Sequence, residues 1–333
     1  MVLYHINGKA TAIDSIQLDD LLAERIISRL VGGKRVLDGL RPLSPVALQK
    51  LRDHLQLQMS SHSTAIEGNS LTLRETHLVI NEGLTVKNKP LKDHIEVKNH
   101  HHALDFLYEL VSKADVKLSA TLIRQIHGIV VQHDRLAEAG CYRSSGVFIS
   151  GSDHVPPVAL DVPDQINQLI SDVEHLRCNA HPLVTATILH HRLSHIHPFT
   201  DGNGRIARIL MNLILMRAGY PIAIIRKADR QAYYRALHAA DQGRLSLLAT
   251  QIARAVLHSL DLYLRTFSRP LGSERLITLA EASTLSDYSA KYLNLLARKG
   301  LLEATKHGRN WMTTVEAITR YQANRLRKRR TDQ

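Results

Sequence analysis

The sequence predicts an all-α fold, a helical bundle with a small β-hairpin flap, followed by a small C-terminal winged helix-turn-helix. Two observations support the helical part. Leu-, Ala- and Ile-rich segments repeat their apolar residues with the 3.6-residue period of an α-helix, whereas the alternating runs typical of strands are scarce. Only residues 146–158 have an extended pattern, because an apolar run at 147–149 precedes Gly151 and two prolines. We expect this segment to form the flap.

Helix ends are marked by proline and glycine. Proline fits the first helical turn, where its missing N–H is not needed, and glycine adopts the left-handed conformation that often follows a helix. Thr72 and Glu75 have the spacing of a capping box, which opens a further helix. The helices predicted in this way cover residues 45–68, 182–197 and 204–219, and a further helix opens at residue 72.

A chain of 333 residues suits two to three domains. We predict an N-terminal helical segment over residues 1–95, a catalytic core over 96–267 and a winged-helix-like domain with a basic tail over 274–333. Apolar residues make up 44% of the chain and charged residues 22%, which excludes wholesale disorder. The C-terminal prediction rests on helical patterns at 277–282 and 288–299 that precede a basic, extended segment.

The composition restricts partners and compartment. Every apolar stretch is shorter than the ~20 residues that a membrane span requires, and the N-terminus lacks the apolar region of a signal peptide. The two cysteines, Cys141 and Cys178, have the character of reduced thiols. We therefore expect a cytoplasmic protein with no membrane partner. The net charge of +12 favours nucleotides, nucleic acid or acidic protein surfaces as partners.

The most informative stretch is residues 197–208, His-Pro-Phe-Thr-Asp-Gly-Asn-Gly-Arg-Ile-Ala-Arg. Gly202 and Gly204 permit a tight loop that leads straight into an apolar helix, whose free N–H groups and dipole favour an anion. Arg205 and Arg208 share one face of the first turn, so their guanidinium groups are expected to converge on the same anion. The pattern indicates a polyphosphate site.

Two further side chains in this stretch supply chemistry. Asp201 offers one carboxylate for a magnesium ion that also binds phosphate oxygens. His197, with an ordinary pKa of ~6.5, is suited to accept a proton from a hydroxyl. The alternative is a glycine-rich helix–helix turn with one stray histidine among the twenty in the chain. The number of compatible roles within twelve residues favours the catalytic interpretation.

Residues 197–208 resemble, without a mismatch, the signature of Fic-domain proteins, His-Pro-Phe-x-Asp-Gly-Asn-Gly-Arg-x-x-Arg. The resemblance extends from about residue 60 to 245. It implies a Fic fold and a protein adenylyltransferase, a nucleotidyltransferase that moves AMP from ATP, with Mg²⁺, to a Tyr, Thr or Ser hydroxyl of a target protein. The reverse reaction, removal of AMP, is an alternative within the same family.

The resemblance also implies residue roles. His197 deprotonates the target hydroxyl and Asp201 holds the metal, while the flap aligns the target segment. The residues implied for ATP are Asp201, Gly202, Asn203, Gly204, Arg205 and Arg208 around the phosphates, Val147, Phe148, Ile149 and Ser150 in the flap, and Tyr233, Tyr234 and Asp241 on the adenine side. The family usually carries Asn where this chain has Asp241. A carboxylate cannot donate a hydrogen bond, so the contact with the base is expected to differ.

Residues 63–69, Ser-Thr-Ala-Ile-Glu-Gly-Asn, are similar to the inhibitory motif of the subgroup whose regulatory helix precedes the Fic core. The alternative is that Thr64 and Glu67 are a capping box at a helix start. The apolar periodicity instead places Glu67 at a helix end, where the helix dipole disfavours a carboxylate by ~0.3–1 kcal/mol. Glu67 therefore needs a cationic partner, and the resemblance implies Arg208. The expected result is autoinhibition.

The C-terminal segment supports a second class of function, a DNA-bound regulator with a secondary, nucleotide-sensing Fic core. From residue 268 onward there are thirteen basic and six acidic residues. After a linker at 268–273, residues 286–297 would be a recognition helix in duplex DNA. The face that this helix shows, with Asp287, Tyr288 and Lys291, is only mildly basic, and winged helices also bind proteins. Lys306, His307 and Arg309 would lie in the wing, and phosphate contacts are expected from the tail at 325–330. A homodimer is a further candidate assembly.

Two histidine clusters receive no function. His191 and His195 have the i,i+4 spacing of zinc ligands, but the run lacks the glutamate of the His-Glu-x-x-His motif and no further ligand cluster is evident. We expect packed or surface histidines there. The run at residues 100–102 is expected to lie on a solvated face.

Overall fold

The computed structural model describes residues 3–6, 9–113, 115–132, 138–149, 152–267, 277–286, 288–299, 301–302, 304–307, 310–315, 317–319 and 321–322. The chain divides into two compact units, Met1–Thr266 and Phe267–Gln333. The predicted linker at 268–273, and Ser150, Asp287, Arg309 and the tail at 325–330, lie outside the described residues. None of the helices in the described part of the chain combines the length and apolar character that crossing a bilayer demands.

The first unit is built from helices behind a short N-terminal hairpin. Its elements are β1 (Leu3–Ile6), β2 (Lys9–Ala12), α1 (Leu18–Leu21), α2 (Glu24–Gly39), α3 (Pro45–Ile66), α4 (Leu73–Asn81), α5 (Leu91–Ser112), α6 (Ala120–Val130), α7 (Val162–Asn179), α8 (Pro182–Ile196), α9 (Asn203–Arg217), α10 (Arg230–Asp241) and α11 (Ser246–Phe267). The all-α prediction is confirmed. So are the predicted starts of α3, α4, α8 and α9, each to within a residue.

The start of α4 shows why the local sequence succeeds. The Glu75 N–H donates to Thr72 Oγ1 (3.3 Å), and the Thr72 N–H donates to Glu75 Oε2 (2.8 Å). This reciprocal pair satisfies two of the N–H groups that every helix start leaves without a partner inside the helix. At α3 and α8, Pro45 and Pro182 stand in the first turn, where no N–H is required.

Helix α8 lies at the centre of the unit. Of its fifteen residues, twelve are buried, and these include polar ones such as Thr187 and His190. It packs against α7 on one side and α9 on the other, and α9 in turn packs against α5 and α6. A helix that is apolar over most of its circumference must be enclosed by its neighbours. The consequence is that the end of α8 and the start of α9 meet at one fixed point.

The predicted β-hairpin flap is wrong in one respect. The described residues 141–149 and 152–158 form no strand, so the described part of the flap is not a hairpin. Pro156 and Pro157 have no N–H for a ladder, and the Pro157 carbonyl already accepts from the Arg143 guanidinium (2.5 Å). The sequence interpretation also missed the hairpin of β1 and β2, which pair antiparallel from Leu3↔Ala12 to Ile6↔Lys9.

The second unit combines short helices with a small antiparallel sheet. Its elements are β3 (Ile277–Thr278), α12 (Leu279–Thr284), α13 (Ala290–Arg298), β4 (Thr305–His307) and β5 (Asn310–Thr313), with strand order β3-β5-β4. Residues 277 and 278, predicted as helix, form a strand, because Thr278 is the N-cap of α12 and its side chain accepts from the Glu281 N–H (3.1 Å). Leu293 and Leu296 belong to a separate apolar core within this unit.

Candidate active site

The connection from α8 to α9 brings the residues of the predicted motif together. His197 ends α8 in the left-handed conformation (φ 49°, ψ 60°), which is uncommon for a residue with a side chain. Gly202 is left-handed as well (φ 82°), and a Cβ there would lie 3.1 Å from Val131 Cγ1. These two residues turn the chain so that α9 begins beside the end of α8.

The side chain of Asn203 holds this loop closed. Its Oδ1 accepts from the Phe199 N–H (3.0 Å), and its Nδ2 donates to the Phe199 carbonyl (2.8 Å). The Phe199 ring is buried and stacks on the His127 imidazole, with ring centroids 3.8 Å apart. Asn203 therefore positions backbone groups, and a closed loop keeps the first N–H groups of α9 pointing in one direction.

His197 has the tautomer that a general base needs. Its Nδ1 lies 3.2 Å from the Ser194 carbonyl, which can only accept, so Nδ1 carries the proton and Nε2 keeps a free lone pair. Burial lowers the pKa of His197, which keeps the imidazole neutral at neutral pH. A neutral ring with its orientation fixed by one hydrogen bond is suited to take a proton at Nε2.

Arg143, to which the sequence analysis gave no role of its own, fixes the backbone of His197. Its Nε donates to the His197 carbonyl (2.8 Å), and its other nitrogens donate to the carbonyls of Ser145 (2.9 Å) and Pro157 (2.5 Å). The Arg143 N–H donates to the Pro198 carbonyl (2.9 Å). One buried guanidinium thus ties the flap to the motif loop. No local spacing pattern in the sequence marks Arg143, because its partners are distant in the chain.

Arg208 is buried at the other side of the loop and is paired with Glu67. Its Nη2 donates to Glu67 Oε1 (2.7 Å) and to the Ser63 carbonyl (2.8 Å), and its Nε donates to Ser63 Oγ (2.9 Å). Although burial disfavours the charged guanidinium, the neighbouring Glu67 carboxylate raises the pKa of Arg208. The ion pair that the family resemblance implied is therefore present.

The Glu67 carboxylate lies directly over the start of α9. A Cβ added at Gly204 would collide with Glu67 Oε1 and lie 3.0 Å from Arg208 Nη1. A larger residue at this position would require the Glu67 carboxylate to shift. An anionic group therefore already stands at the helix N-terminus, where the sequence predicts phosphate binding.

Arg205 and Arg208 have different carboxylate partners in this structure, and their convergence on one bound anion stays a prediction. Arg205 Nη1 pairs with Glu96 Oε1 (2.8 Å), and Nη2 pairs with Asp201 Oδ1 (2.9 Å). Glu96 in α5 is buried, and its other oxygen accepts from Asn69 Nδ2 (2.8 Å). The two arginines are drawn apart because each has its own carboxylate partners.

The run at residues 100–102 is not a fully solvated face. His100 has no exposed surface, and neither of its ring nitrogens has a hydrogen-bond partner in the described part of the chain. Burial, together with the positive charges of Arg208 and Arg205, lowers its pKa well below the ordinary value. A neutral imidazole therefore packs near both guanidinium groups.

A cleft of about 370 Å³ opens beside this loop. The predicted residues that line it are Glu67, Phe148, Ile149, His197, Asn203, Gly204, Arg208, Tyr233, Tyr234 and Asp241. Described residues that the prediction did not include also line it, namely Ser152, Ser194, Arg230, Leu237 and His238. Among the described residues that were predicted, Val147, Asp201, Gly202 and Arg205 are not in its lining.

Asp201 offers a carboxylate oxygen, the kind of ligand that a magnesium ion prefers. Its Oδ1 accepts from the Gly202 N–H (2.6 Å) and from Arg205, while the side chain is 43% exposed. Although burial raises it, the pairing with Arg205 lowers the pKa of Asp201 below its ordinary value, so the group is ionised. A single ionised carboxylate completed by phosphate oxygens and water is a usual site for Mg²⁺. The residues present fit the ion.

Comparison with known proteins agrees with this geometry. Residues 117–215 match the model of the Fic/DOC family. The structure of Fic-1 (residues 134–508) from Caenorhabditis elegans superposes with a TM-score of 0.67 at 30% identity and covers 73% of each chain. The chain belongs to the Fic/DOC family. A Fic domain containing signaling protein from Bacteroides thetaiotaomicron also superposes, with a TM-score of 0.68 at 27% identity, over 73% of this chain and 97% of that one.

Curated relatives in this family carry a name that states an activity. A protein from Nematostella vectensis is 38% identical over 252 residues, which are 74% of this chain and 58% of the relative, and one from Aedes aegypti is 33% identical over 78% of this chain and 52% of the relative. Both are named protein adenylyltransferase Fic. The chain spans about half the length of these relatives.

The buried contacts of Arg208 lead to a prediction about acid stability. Arg208 Nη1 contacts the Tyr233 hydroxyl (3.4 Å), which shares a hydrogen bond with His190 Nε2 (2.9 Å). Burial, with the charge of Arg208, lowers the pKa of His190 to about 3. Below pH ~6.5, the ordinary pKa of histidine, His190 becomes protonated in the unfolded chain but stays neutral in the folded one. The free energy of unfolding therefore falls as the pH is lowered, by up to about 1.4 kcal/mol per pH unit.

The measurement is the free energy of unfolding in urea at pH about 8, 6 and 5 for the unmodified chain and for His190→Gln. We expect a smaller loss between pH about 8 and 5 in the variant, because its side chain does not titrate. The values at pH about 8, where His190 is neutral in both states, correct for lost packing. If the free energy of unfolding depends on pH equally in both proteins, His190 is not the source of the loss of stability in acid.

Proposed function

We propose that the chain is a protein adenylyltransferase that transfers AMP from ATP to a hydroxyl of a target protein. The proposal rests on one observation above all. His197 presents an unprotonated Nε2 in a cleft that also contains the start of α9 and the Arg208 guanidinium. A base beside an anion site is what activation of a hydroxyl toward a phosphate requires. The names and the 33–38% identity of the curated relatives support it.

In this reaction His197 Nε2 accepts the proton of the target hydroxyl, whose oxygen attacks the α-phosphate as pyrophosphate leaves. The free N–H groups at the start of α9 and the Arg208 guanidinium bind the charged phosphates and neutralise the charge that develops. When bound, Mg²⁺ would be held by Asp201 and would screen the phosphate oxygens. The flap, whose described residues pair with no strand, would offer backbone groups to a target segment, as an edge strand does.

The adenine side is proposed with a departure from the family. Tyr233 and Tyr234 line the cleft, and Asp241 stands at its far edge. Asp241 Oδ1 accepts from His191 Nε2 (3.0 Å) and from His195 Nδ1 (3.0 Å). As a carboxylate it offers only acceptors, so it suits a base with an exocyclic amino group, as adenine has.

The test of the base is His197→Ala. Transfer should fall by about 10²–10⁴-fold, because general-base catalysis contributes that much, while ATP affinity should stay within a few fold, because the start of α9 and Arg208 remain. The measurement combines labelled AMP incorporation into a lysate with calorimetric titration of ATP. His175→Ala, an exposed histidine on α7, is the control. Near-normal labelling by His197→Ala would refute the mechanism.

We further propose that Glu67 inhibits the enzyme. Its carboxylate lies over Gly204 and pairs with Arg208, so it occupies space and charge that the end of a triphosphate would need. ATP that enters beside it would hold its α-phosphate out of line. A misplacement of ~1 Å can cost about 10²-fold in rate, so one carboxylate is enough to silence the site.

The test is Glu67→Gly, which removes the carboxylate at the C-cap of α3. We expect auto-adenylylation to rise by about 10²-fold with little change in the thermal midpoint, since the Glu67 side chain is 30% exposed and contributes little packing. Glu82→Gly is the matched control, because Glu82 is the C-cap of α4 and exposed. If Glu67→Gly labels no more than Glu82→Gly at several ATP and magnesium concentrations, inhibition is excluded. Release of AMP from a modified protein would then favour the reverse reaction.

As a second candidate function, we propose that the second unit is a winged helix that binds DNA. The observation that favours it is a set of exposed basic residues on α13 and β4, namely Lys291, Arg298, Lys299 and Lys306. Basic side chains on a helix that enters the major groove would bind phosphates.

The test is the affinity for a labelled DNA duplex measured at several salt concentrations. Each phosphate contact contributes about −0.9 to the slope of log K against log salt, so Lys291→Ala should reduce the slope by about 1. Lys87→Ala, an exposed lysine of the first unit, is the control. Absence of duplex binding would make the second unit a protein-interaction module.

Compartment and assembly are part of the same proposal. We propose that the protein acts in the cytoplasm, which is supported by two free, exposed thiols, Cys141 and Cys178. The target protein is proposed only as a class, proteins with an accessible Tyr, Thr or Ser hydroxyl. A homodimer stays a prediction.

A further inference from the structure

Three side chains with metal-binding atoms meet at a point where one of them, Asp241, lines the cleft. They are His154 from the flap, His195 from α8 and Asp241 from the end of α10. One ring nitrogen of each histidine and one carboxylate oxygen all lie within 4.8 Å of one another. Among the described residues, no other group of three His, Cys, Asp or Glu side chains is this close.

The histidine rings are held so that nitrogen atoms are available. His154 Nε2 lies 2.8 Å from the His195 carbonyl, which can only accept, so this nitrogen carries the proton and Nδ1 keeps its lone pair. The two rings stack with centroids 3.8 Å apart. His195 Nδ1 lies 3.0 Å from Asp241 Oδ1, and a dication would replace the proton between these two atoms while Nε2 takes that proton up.

His191 and Tyr4 orient the Asp241 carboxylate through hydrogen bonds. The buried His191 contacts Asp241 Oδ1 through Nε2 (3.0 Å), and its Nδ1 accepts from the hydroxyl of Tyr4 (2.8 Å). Tyr4 is itself buried, on β1. Although burial raises it, hydrogen bonds from His191 and His195 lower the pKa of Asp241 far below the ordinary value, so the carboxylate is ionised. Groups that hold a ligand in this way typically change metal affinity by 10–100-fold when removed.

We propose that His154, His195 and Asp241 bind a transition-metal dication of the zinc class. Two imidazoles and one carboxylate are a usual protein ligand set for zinc, with the remaining position taken by water. The side chains of His195 and Asp241 are 35% and 17% exposed, which leaves an open side for that water. The bound ion would fasten the flap, through His154, to α8 and α10.

This site is distinct from the one proposed for magnesium. Zinc prefers imidazole nitrogen, whereas Asp201 offers oxygen alone. The i,i+4 pair His191 and His195 hinted at zinc in the sequence, but the two do not share the ion. His195 is a ligand, His191 orients the carboxylate, and the missing ligands come from the flap and α10.

The experiment uses the full chain after treatment with a chelator, titrated with Zn²⁺ alone in a calorimeter. We expect one ion per chain at this site, with the affinity lowered at least tenfold in His154→Ala and in Asp241→Asn. His175→Ala, which removes an exposed histidine outside the group, should bind as the unmodified chain does. Tyr4→Phe, which removes only the hydroxyl behind His191, should weaken binding by about tenfold.

Two further measurements keep the result interpretable. The thermal midpoints of all variants are compared in chelator, so that a loss of fold is recognised. His154 lies outside the helices and strands, and its replacement is expected to leave the midpoint unchanged. Titration with Co²⁺ should give the visible absorption of a four-coordinate nitrogen and oxygen site, lost in His154→Ala. The proposal is overturned if the unmodified chain binds no zinc, or if His154→Ala and Asp241→Asn bind it as tightly. Neither readout depends on AMP transfer.

Discussion

Two buried guanidinium groups, one turn apart on α9, constrain the rest of the first unit. An ion removed from water costs several kcal/mol unless it is paired and hydrogen-bonded, so Arg205 and Arg208 require carboxylates brought from elsewhere. Glu96 on α5 and Asp201 in the loop serve Arg205, and Glu67 at the end of α3 serves Arg208. Helices α3, α5 and α9 are thereby fixed relative to one another, at the point where α9 begins.

The same requirement couples the motif at residues 63–69 to both arginines. Ser63 and Glu67 contact Arg208 directly, while Asn69 holds Glu96 and so supports Arg205. A carboxylate and a phosphate satisfy a guanidinium in the same way, with paired charge-assisted hydrogen bonds. The exchange of one anion for another at Arg208 would therefore leave the buried charge compensated. The proposed inhibition by Glu67 depends on this equivalence of the two anions.

The part of the fold that the sequence predicted is the part determined by neighbours in the chain. Caps, prolines and glycines located α3, α4, α8 and α9, and the loop from 197 to 208 contains the residues that we propose as base, metal carboxylate and anion site. Arg143, Glu96 and His100 were missed because their importance comes from contacts with residues far away in the chain, which no local spacing reveals. The hairpin of β1 and β2 had a signal, the Asn-Gly pair at residues 7–8, which is typical of tight hairpin turns.

Asp241 shows how one substitution changes the chemistry of a whole edge of the cleft. An asparagine there would bring no charge, and hydrogen bonds from two imidazoles to a neutral amide are weaker than those to a carboxylate. With aspartate, His191 and His195 both point at one ionised oxygen, and the flap histidine stacks against the second of them. Asp241 therefore gathers two imidazoles around one carboxylate oxygen, an arrangement that favours a cation, in a cleft whose lining also includes Arg208 paired with Glu67.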